Sequence, residues 1–177
     1  MKKVLILAVA AAIVMLVPSF ASAQTANGVL TVTATVQGSI GLVFNSDAAG
    51  VALSSGAGTN AATLAFGNVS AFGAVSAGVV RTVAANSFTV SSAVDVQVSK
   101  TNSASANYTL KAQLGAADAV NSWTVGGIAV TSAAQSTLTA TGTYAANSNF
   151  PVAITVPFTT ASGTLISNTI NYTATAN

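Results

Sequence analysis

Hydrophobic and polar residues alternate along most of the chain after residue 28, and the longest such run is Gly28 to Phe44, GVLTVTATVQGSIGLVF. Leu30, Val32, Ala34, Val36, Gly38, Ile40, Leu42 and Phe44 share one parity, and the residues between them are mainly Thr, Gln, Ser and Gly. A two-residue period puts alternate side chains on opposite faces of an extended chain, so the run predicts β-structure with one apolar face. Globular strands usually run about 3–10 residues. This one would span roughly 50 Å at about 3.3 Å per residue. The pattern therefore predicts two segments in series, hinged at Gly38, because glycine weakens a strand interior and permits a bend. Residues before Gly38 form an extended arm, and those after it the first strand of a folded body.

The same period recurs downstream. Asn45 to Ala62 reads as a surface loop, Thr63 to Phe66 as a short alternating segment stopped by Gly67-Asn68, and Val69 to Val80 as irregular edge structure. Phe88, Val90, Val94, Val96 and Val98 share a face, as do Tyr108, Leu110, Ala112 and Leu114, which predicts a hairpin or adjacent antiparallel pair. Trp123-Thr124-Val125 and Ile128-Ala129-Val130 flank Gly126-Gly127, a hairpin signal. Leu138 to Tyr144 alternates weakly. Phe150 to Phe158 alternates strongly, but Pro151 and Pro157 lack amide donors and predict an edge position or a bulge. Ile166, Ile170, Tyr172, Ala174 and Ala176 share a parity close to the C-terminus. No stretch beyond the N-terminal leader has a capped 3.6-residue period, so the expectation is an all-β protein of about seven to nine short strands, a sandwich rather than a barrel.

Composition then narrows function. Lys2 and Lys3, the apolar run Val4 to Val17 and the small residues Ala21-Ser22-Ala23 read as a secretory signal peptide over 1–23, cleaved before Gln24. The charges beyond it are Arg81, Lys100 and Lys111 against Asp47, Asp95 and Asp118, a balance that removes the electrostatic case for nucleic acid. So few charges in a chain rich in Ser, Thr, Asn, Ala and Gly suit a protein that works beside copies of itself. With no His, Cys or Glu, the usual general bases, thiol nucleophiles and most transition-metal ligands are missing. The aspartates have plain readings: Asp47 in a loop, Asp95 on a polar strand face, Asp118 in a turn. No enzymatic activity, cofactor or metal site is expected. Arg81 and Lys100 read as solvated surface, and Trp123 as a core plug in preference to a sugar-stacking platform. The triplets beginning at Asn68, Asn107 and Asn171 match the glycosylation pattern as chance matches in an Asn- and Thr-rich chain.

Leu30 to Val36, Leu64-Ala65-Phe66-Gly67, Tyr108-Thr109-Leu110 and Asn171-Tyr172-Thr173-Ala174-Thr175 occur in the order and spacing of the secreted pilin-like families of bacteria. The chain resembles spore coat U domain proteins and chaperone-usher fimbrial subunits over nearly all of residues 24–177. That resemblance implies an immunoglobulin-like antiparallel β-sandwich lacking its last strand, completed by an N-terminal strand from a neighbouring subunit. It implies arm residues 24–37, with Leu30, Val32, Ala34 and Val36 as inserted side chains. It also implies a pilin-like domain over 38–177, with Ile166, Ile170 and Tyr172 near the receiving groove. Implied partners are identical subunits, a periplasmic chaperone and an outer-membrane usher; the implied location is an extracellular or cell-surface filament. The families' common disulfide has no counterpart here, since the chain has no cysteine. The alternative is a self-contained secreted β-sandwich that binds carbohydrate or another surface ligand.

Overall fold

The computed structural model describes residues 27–177. The leader expected over 1–23 lies outside the described residues. The body comprises Val36–Asn177. It holds eleven strands: β1 (Ser39–Ser46), β2 (Val80–Val83), β3 (Ser87–Ser92), β4 (Val94–Thr101), β5 (Tyr108–Leu114), β6 (Ser122–Val125), β7 (Ile128–Val130), β8 (Ser136–Gly142), β9 (Asn147–Asn149), β10 (Val152–Pro157) and β11 (Ile170–Ala176). All pairings are antiparallel, and there is no helix among the described residues. The count exceeds the expected seven to nine because the 88–98 run divides into β3 and β4 and because the short strands β2 and β9 were not expected.

The strands form three sheets, ordered β1-β4-β9, β2-β3-β10-β6-β7 and β11-β5-β8. The first two run on from each other. β3 passes into β4 through Ala93, and β9 passes into β10 through Phe150 and Pro151. They share these long strands as one layer, and β11-β5-β8 packs against it in a sandwich-like arrangement, with Ala112 and Leu114 of β5 meeting Val90, Val94, Trp123, Val152, Ile154 and Val156. A second cluster, Val96, Val98, Tyr108 and Leu110, fills the other end of the same core.

The expected pairing of the 88–98 face with the 108–114 face does not occur. β4 pairs with β1 and β9, whereas β5 pairs with β11 and β8, so the two apolar faces oppose each other across the core. Alternation records which face is buried and carries no information about which strand lies alongside. The same run hides the crossing between sheets. Burial continues in phase through Ser92, whose hydroxyl accepts the Val51 amide at 2.7 Å.

β10 also corrects the expectation of an edge strand or bulge. It lies between β3 and β6 in the five-stranded sheet, in regular register from Val152 to Pro157. The prolines are tolerated because Pro151 precedes the strand and Pro157 ends it, opposite Ser87. The β6–β7 hairpin forms as the sequence predicts, with Val125 opposite Ile128. Gly126 and Gly127 both take positive φ, 58° and 79°, as such a two-residue turn requires.

Candidate functional site

Among the described residues β1 pairs only with β4, and β11 only with β5, so each presents one open edge. Between them lies a groove of about 1970 Å³. One wall is Ile40 to Phe44 of β1, continued by Leu64 to Val69; the other is Ser162 to Tyr172. The floor is Val90, Val94, Trp123, Val152, Ile154 and Val156, which are also core residues. The groove thus lies over core residues that are themselves only 1–7% exposed.

The walls follow from the residues that build them. Leu64 and Phe66 are half-buried on one parity, as alternation predicts, but the expected strand is absent; only Thr63 makes a bridge, with Ser55. Beyond Thr63 the segment makes no bridge among the described residues. Opposite it, the long connection after β10 carries Ile166, and β11 begins at Ile170. Ile166, Ile170 and Tyr172 all line the groove. The Tyr172 ring meets Phe44 edge-on at a centroid distance of 5.1 Å, tying the walls together, and burial pushes its phenol up. The outer edge of β1 is partly covered, since Phe44 exchanges backbone hydrogen bonds with the Gly58-Thr59 turn at 2.7 and 2.8 Å. No such cover exists over β11 among the described residues.

Residues 27–38 have no regular secondary structure, and all of them are exposed. Leu30 is 86%, Val32 80% and Val36 74% exposed; Ala34 is also exposed. None of the four arm positions belongs to a strand of its own subunit. Gly38 stands at the start of the body, where a Cβ would lie 2.7 Å from the Asn102 carbonyl oxygen. Its glycine is required by close approach of two backbone segments.

The remaining chemistry-bearing residues have structural partners. Trp123 is only 6% exposed, and its indole N–H donates to Asp118 at 2.8 Å. Desolvation would raise the Asp118 carboxyl, but hydrogen bonds from the Asn121 amide, the Trp123 indole, the Asn121 side chain and the Val120 amide outweigh it and hold the group at about 2. Asp47 and Asp95, far apart in sequence, both accept from the Asn149 side-chain amide, at 2.7 and 3.2 Å. Arg81 is not merely solvated: its guanidinium donates to the carbonyls of Ser70 and Gly73 at 3.0 and 2.7 Å. The Lys100 ammonium donates to the Ser105 carbonyl and lies 5.0 Å from the centre of the Tyr144 ring. No cluster of three or more metal-ligating acids, His or Cys occurs among the described residues.

Sequence reasoning missed the groove floor and the Leu64–Phe66 wall as functional elements. Their signal was present as alternation, but alternation reads the same whether or not a groove lies over the core. No family model matches the chain, and neither curated proteins nor solved structures yield a significant match.

Proposed function

We propose that this chain is the structural subunit of an extracellular bacterial filament or surface coat that polymerises head-to-tail by strand donation. Leu30, Val32, Ala34 and Val36 of one copy enter the groove walled by Ile166, Ile170 and Tyr172 of the next, completing an immunoglobulin-like sandwich. The observation that carries this reading is the coexistence in one chain of an exposed alternating apolar arm and a long groove floored by core residues beside an open strand edge. Strand addition uses both features at once, because main-chain hydrogen bonds join the strand to the edge and alternate side chains fill the groove.

Burying a Leu or Val side chain contributes about 1.5–3 kcal/mol. Fixing each arm residue costs about 1–2 kcal/mol. These terms are of similar size, so the surplus comes from the hydrogen bonds along β11 and from covering the half-buried wall residues Leu64, Phe66, Ile166 and Ile170. Giving away one surface and receiving on a different one is a heterologous contact, which generates open filaments.

The test is negative-stain electron microscopy of the chain from Gln24 beside one lacking residues 24–37. Filaments from the first that are absent from the second are expected. Well-folded monomers of both, under conditions that permit assembly, overturn the proposal.

A further inference from the structure

We infer that Phe72 and Phe158 form the seat on which the body of the next copy of this chain rests, an inference that builds on the strand-donation reading above. The long β3–β4 strand defines two ends of the body. Ser39 pairs with Thr101, so the chain enters the body at the Thr101 end, where Gly38 meets the Asn102 backbone. Pro157 pairs with Ser87, and the Phe158 amide donates to the Asn86 carbonyl at 3.0 Å, which places Phe158 at the opposite end.

At that opposite end an aromatic row faces solvent. Phe158 stacks on buried Phe88 with centroids 6.4 Å apart and rings inclined by 23°, and Phe72 lies 6.4 Å beyond Phe158. Phe158 is 42% exposed and Phe72 74% exposed. The loop that bears Phe72 is held in place, because Arg81 donates to the carbonyls of Ser70 and Gly73 and the Ser70 hydroxyl donates to the Phe72 carbonyl at 2.6 Å. Two neighbouring exposed rings, one of them on a pinned loop, make the apolar patch offered as the contact. The Arg81 guanidinium is engaged within the loop, so it is not turned toward a polar ligand on the patch.

Chain polarity selects the occupant. β11 runs toward the Thr101 end, where Ala176 pairs with Tyr108. A donated arm that left the groove at this end would bring two like ends together and close a pair. An arm that leaves at the Phe158 end joins unlike ends, and the contact repeats without limit. Only Gln37 and Gly38 separate Val36 from Ser39. That link reaches about 10 Å, so the two bodies must touch. The segment carried onto Phe72 and Phe158 is the Thr101–Ala106 loop beside Gly38, sequence TNSASA, which is small and uncharged.

The test uses the chain from Gln24 in two arms. Phe72→Ser alone and with Phe158→Ser is expected to raise the concentration needed for sedimentable assembly at least tenfold, with the urea midpoint of Phe72→Ser unchanged. Because the chain has no cysteine, copies carrying A104C mixed with copies carrying T159C report directly; both positions are exposed. Oxidation is expected to link A104C to T159C and to give no A104C–A104C dimer. Unchanged assembly of the serine variants, or links between like ends, overturns the inference. So does retention on phosphatidylcholine vesicles that is lost in the serine variants and comes without the cross-link. A chain disabled by an arm substitution but indifferent to Phe72→Ser leaves strand donation standing and removes only the seat. Assembly indifferent to arm substitutions removes strand donation, while the A104C–T159C link still reads the seat on its own.

Discussion

Val32→Asp separates the folding of one copy from its assembly with others. Val32 is 80% exposed in the single chain, so the change should alter its unfolding free energy by no more than about 0.5 kcal/mol. Placed in the groove of a neighbour, the same residue meets a floor of Val90, Trp123 and Ile154. There the variant forfeits about 1.5–3 kcal/mol of burial and adds about 2 kcal/mol or more for forcing a polar group into an apolar site. A loss on the order of 4 kcal/mol is a roughly thousandfold weaker contact. Thr33→Asp is the parity control, since in an added strand its side chain points away from the groove. Sedimentation measures assembly, and urea unfolding followed by the single tryptophan, Trp123, measures the fold. Abolished assembly for Val32→Asp with near-normal assembly for Thr33→Asp is expected. Equal effects of the two, or a large drop in the urea midpoint for Val32→Asp, would refute the reasoning, the latter by showing that the arm packs in its own subunit.

Further predictions concern the body. Gly142→Ala should destabilise the chain by about 1–3 kcal/mol in urea unfolding, because a Cβ there would overlap the Tyr108 ring. Tyr108→Phe should be neutral or stabilising in the same assay, since the fully buried Tyr108 hydroxyl makes no hydrogen bond among the described residues. Asp118, held at about 2 against an ordinary 3.8, binds its proton in the unfolded chain before the folded one as pH falls. Its contribution is therefore full above about pH 4 and lost by about pH 2, on the order of 1 kcal/mol after solvent screening. Trp123-detected urea midpoints across that range should fall more steeply for the natural chain than for Asp118→Asn, and parallel curves would contradict the assignment.

Alternation made the all-β class and the buried parity of each strand legible, from Phe88 to Val98 and from Tyr108 to Leu114. It identified the β6–β7 hairpin because two glycines at its turn need positive φ. It did not reveal that the 88–98 run changes sheets at Ala93, because Ser92 keeps the phase by satisfying the Val51 amide rather than by being apolar. Nor did it place β10, where Pro151 and Pro157 suggested an edge but stand at positions that cost no ladder donor. The excess of alternating residues over what one strand needs was legible, and β1 takes up only the part from Ser39 onward. The groove was only half legible: Ile166, Ile170 and Tyr172 share a parity that puts them on one face. Its floor is made of residues that any sandwich would bury, and whether a groove lies above them depends on strand order, not on local pattern.

Hydrogen exchange followed by mass spectrometry tests strand donation most directly, because it reads donor and acceptor in the same assembled sample. Relative to the unassembled chain, assembly should slow exchange together in residues 28–37 and in residues 166–176, and Val32→Asp should abolish both effects. Filaments whose arm and β11 exchange as fast as in the unassembled chain would contradict strand donation.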